Sequence, residues 1–114
     1  MDKRWIGVDF DGTLAKFNCD QHEVGDPVLP ILRLVKTWLG KGYRVKLLTA
    51  RAEDPDQVKH MRNWLDAHGL RKVTITDRKD KHMIALLDDR AVSVEPNTGR
   101  MMCANKSIRN LMGG

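Results

Sequence analysis

Asp9 and Asp11 close the apolar run Trp5-Ile-Gly-Val8, with Phe10 between them and Gly12 and Thr13 behind. If residues 6–9 form a β-strand, side chains alternate, so Val8 and Phe10 face one way while the two carboxylates face the other, into one small volume. Two anions so close repel unless a cation sits between them or one takes up a proton, and either arrangement suits catalysis. Chemically this is a place for a metal and a phosphate. An Asp-x-Asp-Gly can equally serve as a turn or a cap. As a calcium loop it fails, because the glycine comes too early and the closing glutamate is missing.

The rest of the chain argues for a site. Residues 44–49 read as a short strand ending in the Thr49 hydroxyl, and residues 83–88 as a strong strand ending at Asp88 and Asp89. One helical stretch precedes the first of these strands and another follows it. Asp26-Pro27 looks like an N-cap with proline at the first helical position, and Val28, Ile31, Leu32, Val35, Trp38 and Leu39 follow with helical spacing up to Gly40 and Gly42. Asp54-Pro55 repeats the device, with Gln57 where a capping box places its glutamine. Val58, Met61, Leu65 and His68 mark the inner face of this second helix, and Gly69 stops it. His60 and His68 read as a surface and a helix-end residue rather than ligands, and Trp5, Trp38 and Trp64 as core.

Residues 73–76 predict a weak strand, 91–95 a further one, 96–99 a turn and 103–112 a terminal helix. Alternation of strands and helices predicts an α/β fold: a Rossmann-like parallel sheet of about five strands, helices on both faces and right-handed crossovers. Ligands gather at the carboxyl ends of such strands, where Asp9, Thr49 and Asp88-Asp89 would meet. The 11 residues 15–25 form a loop above that crevice and leave no room for a cap domain.

At 114 residues the chain makes one domain with one core. It is 41% hydrophobic and 31% charged, in the range of globular proteins. No apolar run approaches the roughly 20 residues of a membrane helix, and the N-terminus lacks a signal-peptide core, so a cytoplasmic protein without a membrane partner is expected. Cys19 and Cys103 are too few for a disulfide framework and read as free thiols. The net charge is +5, with 9 basic and 5 acidic residues in 71–114 against 11 and 10 in 1–70. Such an excess attracts polyanions, which brings nucleic acid into consideration as substrate or partner, although plain solubility explains it equally.

Taken in order, Asp9-Phe-Asp-Gly-Thr13, Leu47-Leu-Thr49, a lysine and Leu86-Leu-Asp-Asp89 resemble the four motifs of the haloacid dehalogenase superfamily, over most of the chain. Thr49-Ala-Arg51 and Asp88-Asp-Arg90 are further similar to the 3′-phosphatase domain of phage polynucleotide kinase, and residues 83–99 to small phage-encoded proteins of the superfamily. The resemblance implies a Mg²⁺-dependent phosphatase. Asp9 would be the nucleophile, and Asp11 the proton donor and then the base for water. Thr49 and the lysine would hold the phosphate, and Gly12, Thr13, Arg51 and Arg90 would complete its binding. Asp9, the Asp11 carbonyl and Asp88 or Asp89 would hold the metal; since neighbours along a strand point oppositely, one of the last two is expected to bind directly and the other through water. Arg51 also reads as an ordinary surface arginine opening the second helix.

Two departures stand out. Only residues 77–82 separate the weak strand from the strong one, where the superfamily has a full helix; six residues span at most about 20 Å, enough to recross a sheet but not to add a helix. Either the weak strand is not regular or the crossover is cut down, and the lysine is Lys79, with Lys81 as the alternative. The missing cap is the second departure. An open site admits large substrates, so a phosphate on a polymer end becomes plausible, as does unselective hydrolysis of small phosphoesters. No Gly-x-x-x-x-Gly-Lys-Ser/Thr is present in these residues, so no kinase half is visible in the sequence. From another class, a non-catalytic phosphate-binding protein or a receiver-like signalling module would combine the same residue types, but a receiver places its acid pair and lone phosphoacceptor differently.

Overall fold

A computed structural model describes residues 2–17, 24–102 and Leu111. Four parallel strands form one sheet: β1 (Trp5–Val8), β2 (Val45–Leu48), β3 (Thr74–Thr76) and β4 (Met83–Leu87), in the order β3-β2-β1-β4. Strand β1 runs through the middle, and the chain moves outward from it to β3 before returning to β4. The switch point therefore lies between the carboxyl ends of β1 and β4, the place where a crevice opens in such sheets.

Helices α1 (Leu29–Gly40) and α2 (Pro55–Ala67) connect the first three strands. Leu32 and Val35 of α1 and Met61 and Leu65 of α2 share one core with Val8, Val45 and Leu47, so both helices cover the same face of the sheet. Successive right-handed crossovers in one direction put their helices on one side. Among the described residues the return crossing adds no helix on the other face. Residues 77–82 carry the chain back without a helix, and both β3 and β4 pair in parallel, so the crossover itself is cut down. Asp80 anchors it at the amino end of β1, accepting hydrogen bonds from Trp5 Nε1 at 2.9 Å and His82 N at 2.8 Å.

The fifth strand is also absent among the described residues. Arg90 N donates to Asp88 Oδ1 directly after β4, and Val94 makes only an isolated antiparallel bridge to Met101. The turn at 96–99 folds the chain back so that Glu95 N donates to Arg100 O and Met102 N to Ser93 O; the backbone pairs with itself and does not extend the sheet. The expected terminal helix at 103–112 falls, apart from Leu111, outside the described residues.

Helix α2 starts as expected, with Asp54 accepting from Asp56 N and Pro55 at the first position. It ends in a Schellman motif: Leu70 N donates to Leu65 O and Gly69 N to Asp66 O, with Gly69 at φ +77. Helix α1 starts two residues later than the Asp26 cap implied. Lys16 N donates to Asp26 O and Val28 N to Leu14 O, which holds residues 26–28 extended, and Pro30 takes the first-turn position instead. No cap domain is evident: β1 and β2 are separated by a loop and α1, β2 and β3 by a single 3₁₀ turn and α2. No described helix is long and apolar enough to cross a membrane.

Candidate active site

At the end of β1 the backbone leaves the sheet. Asp9 N still donates to Leu87 O at 2.8 Å, continuing the β1–β4 ladder, and then a tight loop begins. Phe10 O accepts from the amides of Thr13, Leu14 and Ala15, and Gly12 N donates to Ala15 O at 2.7 Å. The Gly12 amide is thereby engaged within the loop rather than presented to a phosphate. Glycine is needed there for two other reasons. Its φ is +87, and a Cβ would lie 2.7 Å from Asp89 Oδ2 and from the Phe17 ring.

Strand alternation stops where the strands stop, and this changes the expected arrangement of carboxylates. Asp88 and Asp89 follow the last residue of β4, so alternation does not separate them. Both bring a carboxylate oxygen to Asp9, the three oxygens lying within 4.8 Å of one another. Thr13 fixes this corner. It is 7% exposed; its hydroxyl donates to Asp89 Oδ1 at 3.1 Å and accepts from Asp89 N at 3.0 Å. Expected among the phosphate-binding residues, Thr13 instead holds an acid in place.

Crowding shows in Asp9. Its carboxyl is pushed up to about 7, first by burial, then by the Asp88 charge and a hydrogen bond with Asp89, against a backbone hydrogen bond from Phe10 that lowers it. A carboxylate cluster that resists full ionisation suits a hard divalent cation, and an oxygen-only donor set favours Mg²⁺ over zinc. Asp9, Asp88 and Asp89 thus fit such an ion.

Asp11, two residues on, has a different environment. Its Oδ2 accepts from Arg51 Nε and its Oδ1 from Arg51 Nη2, both at 2.8 Å, in a bidentate pair. Its carboxylate stands outside the acid cluster. Arg51 Nη1 donates to Gln57 Oε1 at 3.1 Å, and the guanidinium carbon lies 6.0 Å from the centre of the buried Phe10 ring. Gln57 was expected to close a capping box; the structure gives its side-chain oxygen to Arg51. No spacing rule relates residues 51 and 57, so this role was invisible in the sequence. Phe17, 63% exposed beside Gly12, was likewise missed.

Thr49 ends the β2 path. Its amide donates to Thr76 O, and its hydroxyl, 6% exposed, accepts from Arg51 N at 3.2 Å, which leaves the hydroxyl proton for another acceptor. Two open hollows meet at Asp9, Thr49, Ala50 and Asp88. One, of about 370 Å³, is completed by Glu53, Asp77 and Lys79; the other, of about 300 Å³, by Asp11, Phe17, Arg51 and Arg90. Lys79, rather than Lys81, reaches the Asp9 hollow, carried there by the shortened crossover. The fold thus gathers Asp9, Asp11, Thr49, Arg51, Lys79, Asp88, Asp89 and Arg90 in one cleft at the switch point. His60 is exposed, and His68 packs on Trp64, 4.2 Å between ring centres; neither is near the cleft.

No protein-family model matches the chain, and no curated protein matches it. Among solved structures the chain is similar to that of a conserved protein coded by a locus from Bacteroides thetaiotaomicron. The two superpose with a TM-score of 0.60 at 22% identity, over 94% of this chain and 86% of that one. That likeness concerns the fold.

Proposed function

We propose that this protein is a capless, Mg²⁺-dependent phosphomonoester hydrolase that works through an aspartyl-phosphate on Asp9 and acts on 3′-phosphate ends of nucleic acids or nucleotides. The observation that carries the reading is the position of Asp9. It shares a carboxylate cluster with Asp88 and Asp89 and lines the same open cleft as Thr49, Arg51, Lys79 and Arg90, groups able to hold a phosphate. The ordered motifs resembling those of the haloacid dehalogenase superfamily support it independently.

In this reading an Asp9 carboxylate oxygen attacks phosphorus, a new P–O bond forms, and the ester P–O bond breaks with its electron pair leaving on the substrate oxygen. Asp11 gives that oxygen a proton. Water, deprotonated by Asp11, then attacks the phosphorus of the acyl-phosphate and releases Asp9 and inorganic phosphate. Asp9, Asp88 and Asp89 would hold the divalent ion, which supplies neutralising charge for the phosphate and for the carboxylates themselves. Thr49 donates its hydroxyl proton to a phosphate oxygen, and Lys79 and Arg51 offset the remaining charge. The open cleft and the basic excess of the chain favour a phosphate at the end of a polyanion.

The test is phosphate release in Mg²⁺ from a 3′-phosphorylated oligonucleotide, its 5′-phosphorylated twin and an aryl phosphate, with Asp9→Asn alongside. Preference for the 3′ end, lost in the variant, is the expected result. Equal slow turnover of all three marks a generalist. No turnover with any ester overturns the hydrolase reading in favour of a phosphate-binding or signalling role.

A further inference from the structure

The edge of Arg51 that grips Asp11, formed by Nε and Nη2, is the edge a guanidinium uses to grip two phosphate oxygens at once. It cannot serve both partners together. The pair is half-sheltered, with Arg51 16% and Asp11 27% exposed, and both line the hollow that also holds Asp9, Thr49 and Arg90. The third guanidinium nitrogen is tied from the far side by Gln57, a residue of α2. Phe10 lies under the group.

We infer that Asp11 and the substrate phosphate compete for this one edge of Arg51, while Gln57 retains the arginine in the cleft, so that phosphate entry releases the Asp11 carboxylate. What the released carboxylate then does rests on the hydrolase reading above. A phosphomonoester carries close to two negative charges near neutral pH and a carboxylate one, so a seated phosphate is the stronger claimant. Asp11 meanwhile occupies the arginine whenever the cleft is empty, which couples the freeing of the proton carrier to the arrival of its substrate. Gln57 is a positioning residue in this scheme, because it touches Arg51 and not the phosphate.

The experiment is the affinity for inorganic phosphate, at fixed Mg²⁺, read by phosphorus NMR titration into the millimolar range. Asp11→Asn is expected to bind phosphate about tenfold more tightly than the parent chain. In an Arg51→Gln background the same change should gain less than about twofold, because the contested edge is gone. An equal gain in both backgrounds would mean simple charge repulsion by Asp11 and would overturn the inference. Gln57→Met should weaken phosphate binding about tenfold with an unchanged unfolding midpoint, and Gln57→Glu, which keeps the acceptor, should recover most of the affinity. A merely structural glutamine would shift the midpoint and leave phosphate affinity per folded molecule alone. Failure of the parent chain to bind phosphate also overturns the inference. Turnover measured in parallel keeps the two readings apart. Phosphate binding with this pattern but no ester hydrolysis removes the hydrolase and leaves the exchange standing, whereas hydrolysis with indifferent Gln57 and Asp11 variants removes the exchange alone.

Discussion

Two neighbouring regions of the cleft treat their carboxylates in opposite ways. In the acidic corner Asp9, Asp88 and Asp89 crowd together, and Asp9 resists ionisation. In the arginine clamp, two residues further along the loop, Asp11 has both oxygens matched to a guanidinium. The first arrangement suits an added positive charge. The second is complete in the empty protein and must be disturbed to act. In the proposed reading one Asp-x-Asp motif therefore supplies both a group waiting for a ligand and a group that a ligand releases.

The comparison breaks most readily in kinetics. Asp9→Asn removes the proposed nucleophile and is expected to cut kcat by at least about 10⁴-fold, whereas Asp11→Asn removes the proposed proton carrier and should cost about 10²–10³-fold. Rapid-quench measurement would show phosphorylated protein accumulating only in the Asp11 variant if the leaving group is a good one. Equal losses, or accumulation in neither, would mean that the two aspartates do not divide the work in this way.

Metal dependence sharpens the contrast at a lower energy. Mg²⁺ at a hundredfold its dissociation constant should stabilise the parent chain by about 2.7 kcal/mol. Asp88→Asn with Asp89→Asn should abolish that gain, and Arg51→Gln should leave it in place, as read by thermal unfolding with and without chelator. A Mg²⁺ effect that survives the double change would place the ion elsewhere. Thr13→Val is expected to act through the same corner, losing about 1–2 kcal/mol for the reciprocal bonds with Asp89 and weakening Mg²⁺ binding about tenfold.

Much of this was legible in the sequence. The apolar runs ending at Asp9, Thr49 and Asp88 defined β1, β2 and β4, and the strand–helix order implied that their ends converge. What misled was carrying period-two alternation beyond the last hydrogen-bonded residue: β1 ends at Val8 and β4 at Leu87, so Asp9, Asp11, Asp88 and Asp89 obey loop geometry instead. The fifth strand failed for a related reason, since residues 91–95 have a strand composition but pair locally with 100–102. Asp26-Pro27 and Asp54-Pro55 are the same dipeptide, yet only the second caps a helix, because tertiary pairing with residues 14–16 claims the first. Gln57 was hidden by a local rule that it satisfies in sequence and ignores in space.

The smallest expected effect separates the two regions by pH alone, in protein kept free of divalent ions. Asp9 in the folded chain titrates near about 7, against an ordinary value of 3.8. Between those values the folded protein holds a proton that the unfolded chain has lost, so stability falls as pH rises through the window, and the full penalty is present above about 7. Below about pH 4 both states are protonated and the penalty vanishes. Asp9→Asn, neutral at every pH, should therefore match the parent chain at pH 4 and exceed it at pH 8. Because the carboxyl is about half open to solvent, screening reduces the gain to about 1 kcal/mol, well under the value that the shift alone would imply. Adding Mg²⁺ at pH 8 should reverse the order, since the parent chain then binds the ion and the variant binds it poorly. A variant with no advantage at pH 8 would mean that Asp88 and Asp89 do not press on Asp9 in solution, and the contrast between crowded corner and satisfied clamp would disappear.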